Sequence, residues 1–383
     1  MNSTNDLSLG VIATSQKTDE RRLPIHPMHF ERIEERFRKR MMVETGYGLP
    51  CGIDDEQLAL LVGKIASRSE IMKTADIVLL PKPQHADLEE MREGQILWGW
   101  PHCVQDQKLT QLAIDKKLTL IAFEAMNHWG VDGSFGLHVF HKNNELAGYA
   151  SVLHSMQLCG VTGDYGRRLS AVVIGFGATA RGAVTALRAH GVNEIKVLTS
   201  RAVAAVASPI HAVDMVQFEH DDGPHLGEVT TDTGKVPLAP FLAEHDMVIN
   251  CTLQDPNAPL MYLSTEELDA FASGSLIVDV SCDEGMGFEW AKPTTFADPM
   301  FSVGKNINYY AVDHSPSYLW NSASWEISDG LLPFLDVVLA GPGAWNENRT
   351  IASAIEIQDG IIKNPAILEF QHREANYPHE LLV

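Results

Sequence analysis

Residues 169–182, LSAVVIGFGATARG, constrain this chain more than any other stretch. The apolar run Ala171-Val172-Val173-Ile174 reads as a buried strand. Gly175, Gly177 and Ala180 follow in a G-x-G-x-x-A arrangement, and a helical pattern then runs to His190. Strand, tight turn and helix in that order form the first βα unit of a dinucleotide-binding fold. Gly175 permits the turn, Gly177 lets backbone approach a pyrophosphate, and the small Ala180 lets helix pack on strand. The N–H groups that open the helix, around Ala178 and Thr179, suit phosphate oxygens. A second strand, residues 194–198, arrives at the expected distance.

The end of that second strand bears on the choice of nucleotide. Chains that prefer NAD carry Asp or Glu there to hold the ribose hydroxyls. This one reads Val197-Leu198-Thr199-Ser200-Arg201. The hydroxyl of Ser200 and the guanidinium of Arg201 suit a 2′-phosphate through charge-assisted hydrogen bonds. NADP is the expected cofactor, ahead of NAD.

The rest of the chain reads as α/β. Strands are expected at residues 8–13, 41–44, 75–80, 95–98 and 118–123, with helices at 28–40, 54–67 and 104–114 between them. Strands alternating with helices imply parallel sheets, whose ligands bind beyond the carboxyl ends of the strands. Lys82, His102 and Glu124 each stand just past such an end. A helix over residues 145–159 leads into the glycine turn, and further strands fall at 246–250, 275–280 and 308–312. Residues 325–339 and 348–362 carry helical apolar spacing. With 383 residues, two domains are expected. The expected fold is two Rossmann-like domains with parallel sheets and a cleft between them. A discontinuous substrate domain would comprise residues 1–140 and 305–383, and a dinucleotide-binding domain residues 141–304.

The formal net charge of −21 argues against generic binding to nucleic acid or anionic membrane. No apolar run reaches transmembrane length and no signal-peptide pattern opens the chain. The five cysteines lack C-x-x-C spacing, so they read as reduced cytoplasmic thiols, with neither a disulfide frame nor a metal site. Self-association stays open at this level.

Several segments resemble the alanine dehydrogenase/transhydrogenase N-terminal-domain superfamily, which includes saccharopine dehydrogenase. RRLPIHP is similar to its Arg-x-x-x-x-Pro loop, which places Arg22 at the substrate-carboxylate arginine. ADIVLLPKP resembles the strand ending in the substrate lysine, here Lys82, and GQILWGWPH the strand ending in the catalytic histidine, here His102. IAFE ends at Glu124, and IVDVSCDEGMGFE places Asp283 at the catalytic-loop aspartate. Two departures stand out. The acid at the strand end is replaced by Thr199-Ser200-Arg201. The Asn-Met-Pro of alanine dehydrogenases is replaced by Asp313-His314-Ser315-Pro316, which resembles the Asp-His-x-Pro-Ser of saccharopine dehydrogenases. WGWPHCVQ and the NADP preference most resemble members that condense pyruvate with the side-chain amine of ornithine.

The resemblance implies an oxidoreductase acting on a CH–NH bond, with a keto acid and an amino acid as small-molecule substrates. Arg22 would grip a carboxylate bidentately. Lys82 and His102 would move protons on the carbinolamine, and Glu124 would keep them correctly charged. Asp283 would meet the nicotinamide ribose or the incoming amine, and Asp313 and His314 would bind substrate. Alanine-dehydrogenase chemistry with ammonia and NAD is the first alternative; a non-catalytic NADP-binding sensor is the second.

Overall fold

A computed structural model of the chain describes residues 7–200, 213–220, 227–254 and 259–382. These fall into two compact units, Met1–His141 with Trp320–Val383, and Lys142–Leu319.

The first unit is built on an eight-stranded sheet. Its order is Ile361–Ile362, Ile355–Gln358, Thr119–Ala122, Ile96–Gly99, Ile77–Leu79, Leu9–Val11, Met41–Glu44 and Lys64–Ala66. The last six run parallel. The chain starts at Leu9–Val11, winds outward, then returns on the other side of that strand, so the order reverses between Leu9–Val11 and Ile77–Leu79. A crevice opens at such a reversal, beyond the carboxyl ends. The central strands are buried at every position because both faces are covered. Alternate residues feed opposite cores: Ile77, Leu79 and Trp98 join one, and Val78, Leu80 and Leu97 the other. The buried Glu44 carboxylate accepts from the Ala13 N–H (2.7 Å), the Thr14 N–H (3.0 Å) and the Thr14 hydroxyl (2.6 Å). That ties down the loop leaving the first strand toward Arg22.

The expected helix over residues 348–362 is a helix only at Arg349–Ala354. Ile355–Gln358 is a strand antiparallel to Thr119–Ala122, and it turns back into Ile361–Ile362. The turn is made by Asp359 and Gly360, at φ of +52° and +79°, the Asp-Gly hairpin signature. The expected helix over 325–339 is Trp320–Leu331 and Leu335–Ala340, parted by a 3₁₀ turn at Leu332–Phe334. Pro333 there has no N–H to continue the ladder. Residues 28–40 form two short turns, Pro27–Arg32 and Glu35–Arg38, and residues 54–67 hold helix Asp55–Ala59 and strand Lys64–Ala66.

The second unit carries a nine-stranded sheet with a parallel centre. The parallel strands, in spatial order, are Asp214–His220, Glu194–Thr199, Ser170–Ile174, Met247–Asn250, Leu276–Asp279 and Ile307–Tyr310. Antiparallel strands close the two edges. The order reverses at Ser170–Ile174, the strand that ends in the glycine turn. The expected boundary at residue 305 falls short of this sheet's last strand, because Ile307–Tyr310 pairs with Leu276–Asp279 and the unit runs on to Leu319. Tyr309 explains the placement: its ring is fully buried and its hydroxyl donates to Asp279 Oδ2 at 2.7 Å. Asp313 and His314 therefore belong to the second unit, not to the first. No described helix is long and apolar enough to cross a membrane.

Candidate functional site

Two parallel strands of the first unit end side by side, and their close approach sets the site. Trp100 N–H donates to Pro81 O at 2.8 Å and Leu80 N–H to Trp98 O at 3.1 Å. A Cβ on Gly99 would lie 2.0 Å from Leu80 O, so only glycine permits this approach. Lys82 leaves the first of these strands between two prolines, and the Ser15 hydroxyl donates to its carbonyl at 2.5 Å. His102 leaves the second with φ of +50°, in the left-handed region that costs a non-glycine residue energy. Such strain persists only where surrounding contacts impose it. Here the His102 N–H donates to Glu124 Oε1 at 2.7 Å.

Three sequence-predicted residues therefore converge. Lys82 Nζ lies 3.1 Å from His102 Nε2, and Glu124 Oε1 lies 3.8 Å from His102 Nδ1. Glu124 Oε2 is shielded from solvent and has no hydrogen-bond partner among the described residues. Burial, with the nearby Glu356 carboxylate second, pushes the Glu124 carboxyl well above the usual carboxylate range. An amine and an imidazole at hydrogen-bonding distance, beside a carboxyl held above the usual carboxylate range, are a pair that can pass a proton between them.

Arg22 joins this group through Trp100, with its guanidinium 5.3 Å from the ring centroid. It is nearly solvent-free, and its Nε donates to Glu20 Oε1 at 2.8 Å while Nη2 bonds Glu20 Oε2. The Arg22 N–H also reaches Glu20 Oε1, at 2.9 Å. One edge of the fork expected to hold a substrate carboxylate is thus bound by an internal one. Sequence reasoning passed over Glu20, although it stands two residues before Arg22.

In the second unit, Gly175 takes φ of +109° and a Cβ there would come 3.1 Å from Cys251 O, so the fold itself needs this glycine. Gly177 differs. It caps helix Ala178–Ala189 with ordinary extended backbone, φ of −79° and ψ of −169°. A Cβ on it would meet nothing within 4 Å. The fold does not ask for glycine at 177, whereas a ligand pressed against the backbone would, which fits a pyrophosphate. Ala180 is fully buried under the helix. Thr199 is buried and Ser200 exposed at the second strand's end; Arg201 lies outside the described residues.

Asp283 stands in the turn after Leu276–Asp279, and its carbonyl accepts from Met286 N–H at 3.1 Å. The turn is anchored by Asp279, which accepts from the Cys282 N–H (3.1 Å), Asn250 Nδ2 (3.0 Å) and the Tyr309 hydroxyl. Asp313 and His314 form a pair of their own, with Nδ1 to Oδ1 at 2.6 Å. His314 is buried, and its Nε2 has no hydrogen-bond partner among the described residues.

An α/β chain with two Rossmann-like sheets, a glycine turn and a lysine–histidine–glutamate cluster has the parts of a dinucleotide-dependent enzyme, and comparison with known proteins gives the family. The model of the alanine dehydrogenase/PNT N-terminal domain matches residues 10–135, and that of the alanine dehydrogenase/PNT C-terminal domain matches residues 153–365. The chain belongs to this family and is an oxidoreductase. It is 26% identical over 329 residues to an N(5)-(carboxyethyl)ornithine synthase of Clostridium botulinum, covering 81% of this chain and 88% of the relative. It is 25% identical over 369 residues to an alanine dehydrogenase of Methanococcus maripaludis, covering 92% and 89%. Among solved structures, an L-alanine dehydrogenase superposes with a TM-score of 0.75 at 19% identity, covering 94% of this chain and 98% of that one. A transhydrogenase from Sinorhizobium meliloti follows at 0.68 and 19%, covering 94% and 100%. These two share its fold.

Proposed function

We propose that the protein reductively condenses a keto acid, pyruvate in the first instance, with the side-chain amine of ornithine or lysine, using NADPH. The observation that carries this reading is the Lys82–His102–Glu124 cluster, which a chain that only bound a dinucleotide would not need. The strand end Thr199-Ser200-Arg201, without a carboxylate, supports NADP over NAD. The likeness to a carboxyethylornithine synthase supports the amine.

In this reading Gly175, Gly177 and the helix start at Ala178, Thr179 and Ala180 hold the pyrophosphate, and Ser200 with Arg201 holds the 2′-phosphate. NADPH supplies the hydride when bound. The chain's own residues supply the rest. Arg22 orients the keto acid through its carboxylate. His102 protonates the departing carbinolamine hydroxyl so that water leaves, and Lys82 passes the proton back to it across the 3.1 Å contact. Glu124 holds His102 in place through its backbone. Asp283, Asp313 and His314 bind the amino-acid partner. Cytoplasmic chemistry between small molecules, with neither nucleic acid nor membrane as partner, agrees with the charge of −21.

The test is NADPH oxidation with pyruvate alone and then with ornithine, lysine or ammonium, repeated with NADH. Turnover that needs NADPH and a diamino acid is the expected result. Turnover with NADH and ammonium would replace this reading with alanine-dehydrogenase chemistry. Binding of NADPH with no turnover on any pair would leave a sensor.

Arg22 gives a second expectation. Glu20→Gln removes the charge that pins the guanidinium while keeping the shape. The KM for the keto acid should change by about tenfold, the equivalent of roughly 1.4 kcal/mol, because a loosened fork orients the carboxylate less well. NADPH affinity should stay as it was. Initial-rate kinetics with the keto acid varied would show it, and an unchanged KM would remove Arg22 from the carboxylate site.

A further inference from the structure

The buried face of helix Trp320–Leu331 has two edges. Ala323, Ile327 and Leu331 form an apolar one, and the last two join the core. Ser324 and Ser328 form the other, and both are fully buried. Serine is a middling helix former, and its hydroxyl is costly to bury unless it is bonded. The partners of these two hydroxyls lie on the loop that carries Arg22, in the same unit. The Leu23 N–H donates to Ser324 Oγ at 2.8 Å, and Ser328 Oγ lies 2.9 Å from His29 Nδ1. At the exposed rim of this face Asn321 Oδ1 lies 2.9 Å from His26 Nε2. The Trp325 ring meets both imidazoles edge-on, with centroids 5.1 Å from His26 and 4.1 Å from His29.

We propose that Ser324 is a positioning residue for Arg22, its hydroxyl fixing the Arg22–Leu23 peptide and with it the direction in which the guanidinium leaves the backbone. The role follows from the bonds. Ser324 has one proton to give, and it goes to Trp320 O at 2.6 Å, one turn back along the helix. A lone pair is left, and the Leu23 N–H takes it. The peptide bond is planar, so holding that N–H holds the whole Arg22–Leu23 unit. Leu23 is buried in the core, which keeps water from standing in for Ser324.

The other side of Arg22 is held by Glu20, which accepts from its N–H and its Nε. Beyond Leu23 the Tyr47 hydroxyl accepts from the Ile25 N–H at 3.0 Å and donates to Ile25 O at 2.6 Å. The chain past Leu23 therefore keeps an anchor of its own when Ser324 is changed. What the Ser324 bond adds is the aim of one side chain, and a carboxylate clamp works only when aimed.

This inference rests on Arg22 as the residue that takes the keto-acid carboxylate. Its test compares variants of the whole protein by initial rates with pyruvate varied and by backbone hydrogen–deuterium exchange. Ser324→Ala should raise the KM for pyruvate about tenfold, the worth of one charge-assisted hydrogen bond, with NADPH affinity unchanged. Amides of residues 20–25 should exchange faster. Ser328→Ala removes a hydroxyl just as buried, one turn along the same face, and should leave that KM and those amides as they were. A merely structural loss would move both variants alike. Should Ser324→Ala fail to fold, Ser324→Cys fills the same space with a weak acceptor and should shift KM in the same direction. Arg22→Gln should raise the KM at least as far. A parental KM or parental exchange in the Ser324 variants, while Arg22→Gln raises the KM, would overturn the proposal. So would an equal rise in Ser328→Ala. An absence of turnover, or a parental KM in Arg22→Gln, would sink the reading of Arg22 itself, and this inference with it.

Discussion

His102→Asn is expected to lower kcat/KM about 10²–10⁴-fold, the usual worth of a positioned general acid–base, with NADPH affinity unaltered. Asparagine is chosen for the backbone. His102 sits at φ of +50°, and asparagine tolerates the left-handed region far better than alanine does. Its N–H can still donate to Glu124 Oε1, so the loop should hold its shape. The loss would then report the imidazole alone. Lys82→Met should cost a comparable factor, since methionine fills the space of the stem and removes the amine. Because Nζ and Nε2 touch, the double variant should lose little more than the worse single one, as groups that act as a unit are strongly non-additive. Losses that simply multiply would mean that Lys82 and His102 serve separate steps. Fluorescence titration with NADPH, run beside initial rates, separates chemistry from binding.

How much of this was legible in the sequence follows from where the interactions run. The parallel strands announced themselves because burial on both faces demands unbroken apolar runs, as in Ala171–Ile174 and Ile77–Leu80. Lys82 and His102 were visible because strand ends are marked by their prolines and glycine, and the sheet topology then brings the ends together. The glycine turn was read with its helix and strand intact. Failures came where a local pattern has two readings. Ile351, Ala354, Ile355 and Ile362 keep helical spacing while Ile355 and Ile357 alternate as in a strand, and the Asp359-Gly360 turn decides between the two. Read as a helix, the segment hides the pairing with Thr119–Ala122 that carries Glu356 into the first unit's sheet. The domain return was set near residue 305 because nothing local marks it; the long-range bond from Tyr309 to Asp279 holds that strand in the second unit. Glu20 was missed for a related reason. A charged loop reads as solvated until the fold buries it against Arg22 and Trp100.

Two glycines of the second unit look alike in sequence and should behave in opposite ways. A Cβ on Gly182 would sit 1.7 Å from Glu145 O, and one on Gly148 would sit 1.9 Å from Thr179 O. The helices His141–Cys159 and Ala178–Ala189 thus meet backbone to backbone, each through its own glycine. Neither clashing atom is a side chain that can swing away. Gly182→Ala must part the helices, at a cost of about 3 kcal/mol, the upper end of overpacking penalties. For a unit of this size that is a fall in Tm of roughly 6–12 °C. Protein that stays folded should still bind the dinucleotide. Gly177→Ala should do the reverse. Its backbone is ordinary and its Cβ points into open space, so Tm should move by about 1 °C or less, the range of neutral surface substitutions. Dinucleotide affinity, by contrast, should fall about tenfold or more if the proposed pyrophosphate site is right, as the methyl takes the place where that group would approach. Thermal melts with and without NADPH read both effects in one experiment: Gly182→Ala starts lower and is still raised by NADPH, and Gly177→Ala starts at the normal Tm and is barely raised. A Gly177→Ala protein that NADPH stabilises as well as the parent would mean that the turn's second glycine faces no phosphate, and the nucleotide would have to be sought elsewhere on the sheet.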